Sequence, residues 1–278
     1  MREAVNADPI GRPPAASGLV VDHLSVTFRM VRGLRRIEVA AVQDCSFAVP
    51  PGGRLALIGE SGSGKTTITN AVLGLTPASA GKVAFDGRAL CDVAAGRRRA
   101  AHDAGIQVVM QDPLSSFNPR YRLLSSMAMP LRVAGSMNDR EIAEHLKRLA
   151  SRVGVTPELL DKYPHQLSGG QLQRLSIARA VSVSPRLIIA DEPASKLDVS
   201  VRAQVLNLLN DLIAEAASSL LLITHDLDVA RFLCDTVAVM HHGKLLEQGA
   251  LREVFARPKD EYTRTLLDGS GAREVAFA

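Results

Sequence analysis

The sequence predicts an α/β fold: a mostly parallel sheet interrupted by a helical insert. Three observations carry that prediction. Short apolar runs alternate with stretches of helical periodicity along most of the chain. One run, LALIG (55–59), passes directly into a glycine-rich loop and then an apolar helix, ITNAVLGL (68–75). From 112 to 183 helical patterns follow one another with no strand between them.

Taken in order, LVVDHLSVTF (19–28) and IEVAAVQDCSFAV (37–49) read as strands, and PPGG (50–53) as a turn. The LALIG strand, its loop and its helix come next. KVAFDGRAL (82–90) reads as a short hairpin, the arginines at 97–99 as a solvated helix face, and GIQVVMQD (105–112) as a buried strand. DPLSSFNPRYRL (112–123) is loop-like, NDREIAEHLKRLASRVG (138–154) helical, and KYPHQ (162–166) a proline-broken turn. LSGGQ (167–171) opens a helix and RLIIADE (186–192) is a strand. There follow the long helix VRAQVLNLLNDLIAEA (201–216), the strand SLLLITHD (219–226), a further helix, and the strands of TVAVMHHGKLLEQG (236–249). The expected division is a flexible leader at 1–18, an α/β core at 19–111, a helical segment at 112–183, the rest of the core at 184–250, and a C-terminal helix and tail at 251–278. No internal repeat is present, so one such core is expected per chain.

With 278 residues the chain has room for one large domain or two small ones, and for a sizeable core. Its 46% hydrophobic and 22% charged residues are an ordinary globular balance. Aromatics at 4%, with no Trp, are too few for a nucleic-acid reader built on base stacking. A net charge of +4 fits contact with anionic nucleotides or a membrane face and argues for neither. Cys45, Cys91 and Cys234 have no metal or disulfide spacing and read as idle thiols of a reducing compartment. No apolar run approaches the ~18 residues of a membrane span. The first residues, MREAVNADPIGRPPAASG, lack the apolar core of a secretion signal, so a cytoplasmic location is expected.

Three motifs carry chemistry. GESGSGKTT, formed by Gly59, Glu60, Ser61, Gly62, Ser63, Gly64, Lys65, Thr66 and Thr67, satisfies G-x-x-x-x-G-K-[ST]. Its glycines let backbone N–H groups turn inward around a β-phosphate, and the helix behind adds its positive end. Lys65 is a point charge for the β- and γ-phosphates, and the Thr66 hydroxyl is placed for Mg²⁺. RLIIADE delivers Asp191 and Glu192 to the carboxyl edge of a parallel sheet, where ligands sit. Asp191 suits Mg²⁺ held through water, and Glu192 suits orienting or deprotonating an attacking water. The competing reading is a helix N-cap with acids in its first turn. In LSGGQ, Ser168 is positioned to cap a helix with Gln171 as its capping-box partner. Gly169 and Gly170 cost up to ~1 kcal/mol each against Ala in a helix, and they open the N–H groups to a γ-phosphate.

With these motifs the chain resembles the ATP-binding subunits of ABC transporters, and within them the oligopeptide/dipeptide/nickel importer group. The resemblance runs from about 19 to 267. It rests on QDPLSSFNPR (111–120), YPHQLSGGQLQR (163–174), LDVSVRAQVLNLL (197–209) and YTRTLL (262–267). It implies a P-loop, RecA-like ATPase core with an antiparallel β subdomain and a helical insert. It also implies head-to-tail pairing of two ATP-binding subunits, identical or related. The Ser168–Gln171 signature of one would then face the 59–67 loop of the other across ATP. Gln111 matches the residue that touches Mg²⁺ and the attacking water and senses the transport domain. His225 matches the switch histidine, and Phe28 the aromatic that stacks on adenine. His241 and His242 read as a hairpin turn, not metal ligands. Lys196 stands where relatives carry a small residue, in a loop that touches the partner's site. No cysteine follows Cys234, so no iron–sulfur centre is expected.

The implied function is ATP hydrolysis driving an importer of peptides or nickel-type chelates, at the cytoplasmic face of the inner membrane. The partners would be permease subunits docked around 112–131 and, indirectly, a substrate-binding protein, with no nucleic acid. The alternative is an ABC ATPase of a soluble complex such as phosphonate breakdown.

Overall fold

The computed structural model describes residues 18–32, 35–98 and 105–269. Its chain forms two sheets. The first is antiparallel. Strands β1 (Leu19–Arg32) and β2 (Arg35–Val49) pair from Leu19↔Val49 to Arg32↔Arg35. Strands β4 (Ala80–Phe85), β5 (Arg88–Asp92) and β6 (Arg97–Arg98) follow, in the order β2-β1-β4-β5-β6. Along β1 the residues Leu19, Val21, Leu24 and Val26 are fully buried while their neighbours are not. That is the period of two expected of a sheet with one covered face. It slips once between Val21 and Leu24, where His23 takes φ 49° and absorbs an extra residue as a bulge.

The second sheet runs β11-β10-β3-β9-β8-β7. Its members are β3 (Arg54–Ile58), β7 (Ile106–Val109), β8 (Leu187–Asp191), β9 (Ser219–Thr224), β10 (Thr236–His241) and β11 (Lys244–Ala250). All pairs are parallel except β10 with β11. The run SLLLIT of β9 is buried at every position because both faces of this sheet are covered. Alternate residues divide between two cores. Leu55, Leu57, Leu187, Ile189, Leu221 and Ile223 face the first sheet and helix α1 (Lys65–Val72). Ala56, Ile58, Ile188, Ala190, Leu220 and Leu222 face the remaining helices.

Between β7 and β8 the described residues contain helices α2 (Leu123–Ala134), α3 (Asp139–Arg152) and α4 (Gly169–Val181), with two short 3₁₀ turns and no strand. Helix α3 begins in a capping box: Asn138 accepts from the backbone of Glu141, and Glu141 accepts from that of Asn138. The later helices are α5 (Val199–Glu215), α6 (Leu227–Leu233), α7 (Leu251–Ala256) and α8 (Glu261–Gly269).

Two local expectations need correction or addition. Arg97 and Arg98 form strand β6, not a helix face. A turn ending at Gly96, with φ 65°, returns the chain so that Asp92 pairs with Arg97 and Cys91 with Arg98. Arg99 lies outside the described residues. Helix α2 has no counterpart in the sequence reading, because Pro130 breaks its pattern. The proline falls in the second half, and the helix ends on Gly135 at φ 68°. Of the expected leader, only Gly18 is described. Its N–H donates to Asp86 Oδ1 at 2.7 Å. Residues 270–278 of the expected tail lie outside the described residues. Among the described residues no helix is long and apolar enough to cross a membrane.

Candidate active site

Parallel register gathers the motifs at one edge of the second sheet. Ile58 pairs with Thr224, Ile223 with Asp191, and Ala190 with Val109. The segments leaving β3, β9, β8 and β7 therefore emerge side by side: the 59–67 loop, His225, Asp191–Glu192 and Gln111.

The loop can be built only with glycine at its two ends. Gly59 has φ 148°, and a Cβ there would run into the Met240 carbonyl oxygen. Gly64 has φ 107°, and its Cβ would strike the Ala41 carbonyl oxygen. The turn between β10 and β11 clamps the loop, with Gly243 N–H donating to Ser63 O at 2.9 Å. Lys65 is 6% exposed. Its Nζ donates to Gly59 O and Glu60 O, each at 2.7 Å, and to Ser63 Oγ at 3.2 Å. Burial lowers its pKa, with Glu192, Asp191 and Glu60 pulling the other way.

Thr66 Oγ1 donates to Asp191 Oδ2 at 3.4 Å, which links the loop to the end of β8. The Asp191 pKa is raised, first by burial and then by Glu192, against the Thr66 hydroxyl and Lys65. Glu192 takes φ 44°, the left-handed region that a glutamate seldom occupies. Its N–H donates to Ile223 O at 2.9 Å, which fixes that backbone on β9. Its carboxylate is held at both oxygens: Oε2 by Gln111 Nε2 at 2.8 Å, Oε1 by His225 Nδ1 at 2.7 Å. A carboxylate only accepts, so Nδ1 of His225 carries the proton and Nε2 faces away from Glu192. His225 itself is 60% exposed.

The signature segment starts α4. Ser168 Oγ accepts from Gln171 N–H at 3.3 Å, and Gln171 Oε1 accepts from Ser168 N–H at 3.0 Å. The cap leaves the amides of Gly169 and Gly170, in the first turn, to other partners. Gly170 also has a packing reason, since a Cβ there would lie 2.8 Å from Val201 Cγ1 on α5. Thus Gln111, Glu192 and His225 are hydrogen-bonded together, Thr66 meets Asp191, and Lys65 feels the charges of Glu192 and Asp191. The polar side-chain bonds of Ser168 and Gln171 join each other and do not enter this group. Gly169 lines a cavity of about 180 Å³ with Gln111, Leu167, Pro193, Lys196 and Leu197.

Phe28 is 40% exposed, on the same rung as Val39. Val39 lies two residues from Ala41, whose carbonyl abuts Gly64, so the exposed ring belongs to the strand pair that backs the loop. Lys196 is exposed. Among the described residues no group of three or more His, Cys, Asp or Glu could hold a metal ion, and the stretch from His241 to Gly243 is a hairpin connection.

Three contributors were missed from sequence. Ser195 Oγ accepts from Gln111 Nε2 at 3.3 Å and donates to Glu192 O at 3.2 Å. Arg202 pairs with Asp226, the cap of α6. Tyr262 on α8 accepts the Glu60 N–H at 3.2 Å. Ser195 lay within reach of a motif reading. A tyrosine 202 residues from the loop could be found only by folding the chain.

Known proteins share this sequence pattern and this fold. Residues 42–195 match the family model described as ABC transporter. The glutathione import ATP-binding protein GsiA of Escherichia coli is 41% identical over 95% of this chain. The chain spans 43% of the length of that relative. The oligopeptide transport ATP-binding protein OppF of Haemophilus influenzae is 39% identical over 90% of this chain and 76% of its own length. Among solved structures, the dimeric ATP-binding cassette MJ0796 bound to ADP and Pi superposes with TM-score 0.71 at 25% identity, over 84% of this chain and 99% of that one. CbiO1 of Clostridium perfringens, part of the transporter complex CbiONQ, gives TM-score 0.71 at 25% identity over 94% and 100%.

Proposed function

Because the chain belongs to the ABC transporter family of ATP-binding cassettes, in the group of peptide-importer ATPases, we propose that it hydrolyses ATP to drive an importer of peptides or nickel-type metal chelates. The observation that carries this reading is the Glu192 carboxylate, held between Gln111 and His225 in front of a phosphate loop whose lysine is already folded inward.

In the proposed reaction the triphosphate lies over residues 59–67, with the loop N–H groups and the α1 N-terminus on the β-phosphate. Lys65 keeps its bond to Gly59 O and turns from Glu60 O and Ser63 Oγ to β- and γ-phosphate oxygens. Glu192 accepts a hydrogen bond from the attacking water and aims it at the γ-phosphorus. His225, anchored at Nδ1, presents Nε2 toward the γ-phosphate, to which it donates when the ring is doubly protonated. Such catalysis is positioning and charge stabilisation, and each well-placed donor is worth about 2.7–4 kcal/mol.

Thr66, Asp191 and Gln111 would hold Mg²⁺. All three offer oxygen ligands, the Thr66 hydroxyl already meets Asp191, and a cation would offset the desolvation that raises the Asp191 pKa. One carboxylate, one hydroxyl and one amide oxygen suit an ion that keeps waters and phosphate oxygens as further ligands. When bound, Mg²⁺ would neutralise charge on the β- and γ-phosphates.

The second half of each site would come from the Ser168–Gln171 segment of another ATP-binding subunit. Phe28 would stack on the adenine. We read 112–183 as the segment that reports closure to a permease. In its favour, the large apolar residues Leu114, Tyr121, Met129 and Val133 are all at least half exposed among the described residues. The protein would then sit on the cytoplasmic membrane face through that partner, with any substrate-binding protein acting indirectly.

Glu192→Gln is the decisive test. Turnover is expected to fall at least about a hundredfold, while ATP still binds and a nucleotide-loaded dimer accumulates in gel filtration. Undiminished phosphate release would refute the role of Glu192.

A further inference from the structure

The peptide unit between Gly59 and Glu60 is gripped from both sides. Its carbonyl, Gly59 O, accepts from Lys65 Nζ at 2.7 Å. Its N–H, on Glu60, donates to Tyr262 Oη at 3.2 Å. A peptide plane turns as one body, so whatever fixes the N–H direction also fixes where the carbonyl receives the lysine. Gly59, free of a Cβ, offers little resistance of its own to that rotation. We propose that Tyr262 is a positioning residue for Lys65: helix α8 locks the first peptide of the phosphate loop and so aims the ammonium that meets the nucleotide.

Several contacts make Tyr262 a stiff strut. Its ring stacks on His241 with centroids 3.8 Å apart and planes 29° off parallel. His241 ends β10, directly after Met240, whose carbonyl closes on Gly59. The strut and the loop therefore share one foundation. The N-terminus of α8 is also fixed. The Glu247 carboxylate on β11 accepts from Lys259 N–H at 3.0 Å and Asp260 N–H at 3.1 Å, and Asp260 Oδ1 accepts from Tyr262 N–H at 2.8 Å. Thr263 and Leu267 are completely buried and hold the helix on the body. The two bonds on the peptide reinforce each other, because an ammonium on the carbonyl polarises the amide and strengthens its N–H as a donor.

The inference rests on the proposed nucleotide function, and its test separates the two. Wild type and Tyr262→Phe are compared as full chains. Phe keeps the stack on His241 and removes only the hydroxyl. Three quantities are read: hydrogen exchange at the Glu60 amide, binding of a fluorescent ATP analogue, and steady-state ATP turnover. Exchange is expected to quicken several-fold. The analogue's Kd and the KM for ATP are expected to rise between about twofold and tenfold, with kcat nearly unchanged.

Glu247→Gln, which loosens α8 without touching Tyr262, should move the same three quantities in the same direction by less. If Tyr262→Phe leaves both Glu60 exchange and Kd at wild-type values, the positioning role is wrong. If wild type binds no nucleotide, it is the functional reading that fails, and the Glu60 exchange rate still decides the strut.

Discussion

At Asp191, burial and the neighbouring Glu192 raise the pKa above the ordinary 3.8. The native fold therefore favours the protonated acid. That contribution to stability is complete below the unfolded value and is lost as pH rises through the native one. At neutral pH the ionised carboxylate is a net cost in the ligand-free chain. Asp191→Asn should accordingly raise the thermal midpoint at pH 7, by about 1–4 °C. The difference should shrink as pH falls toward 3.8, where more than half of the native wild-type acid is protonated. Turnover should drop at the same time. Calorimetry at pH 7 and pH 4 checks this, and a lower midpoint for the variant at pH 7 would contradict it.

Single residues such as Lys65 and Glu192 were legible because their chemistry is fixed by spacing from a strand end. Tyr262 was not. Its meaning depends on where α8 lands, and no local pattern encodes that.

Among the elements, α4 and α5 pose a question that the signature alone leaves open. Gly170 has two possible reasons to be glycine: access for a phosphate, and room for Val201 at 2.8 Å. Gly170→Ala should lose about 1–2 kcal/mol to the clash, measured by chemical denaturation. Adding Val201→Ala should restore that stability while ATP turnover stays low, because the crowded N–H surface remains. Recovery of turnover in the double variant would make packing the whole explanation.

Elements with clean periodicity and caps, such as α3 with its Asn138–Glu141 box, could be read directly from sequence. Helix α2, with Pro130, and β6, a two-residue strand made of arginines, could not. Tertiary pairing overrides local preference in both.

For the whole molecule, the two-sheet plan follows from the difference between alternating strands and wholly apolar ones. The order β11-β10-β3-β9-β8-β7, by contrast, needs contacts that no window of sequence contains. That order is what brings Gln111, Glu192 and His225 together while leaving the Ser168 segment outside their hydrogen-bond cluster. A chain built this way should work poorly alone. Specific activity is expected to rise with protein concentration. Mixing Lys65→Ala with Ser168→Arg, each inactive by itself, should regain turnover, because each supplies the half the other lacks. Absence of rescue in a phosphate-release assay at concentrations where wild type is paired would argue for a site complete within one chain.

The three thiols offer a way to watch the protein breathe. Cys45, Cys91 and Cys234 are all buried, and burial pushes the Cys45 and Cys234 thiols up, away from the reactive thiolate. An alkylating dye can attach only when the surrounding structure opens, so each sulfur times the opening of its own neighbourhood. Cys45 is the most informative of the three. Its Sγ donates to the Gly243 carbonyl at 3.4 Å, on the residue whose N–H clamps Ser63. A nucleotide that tightens that clamp would slow dye uptake at Cys45 more than at Cys91, so the native sequence already carries its own occupancy gauge.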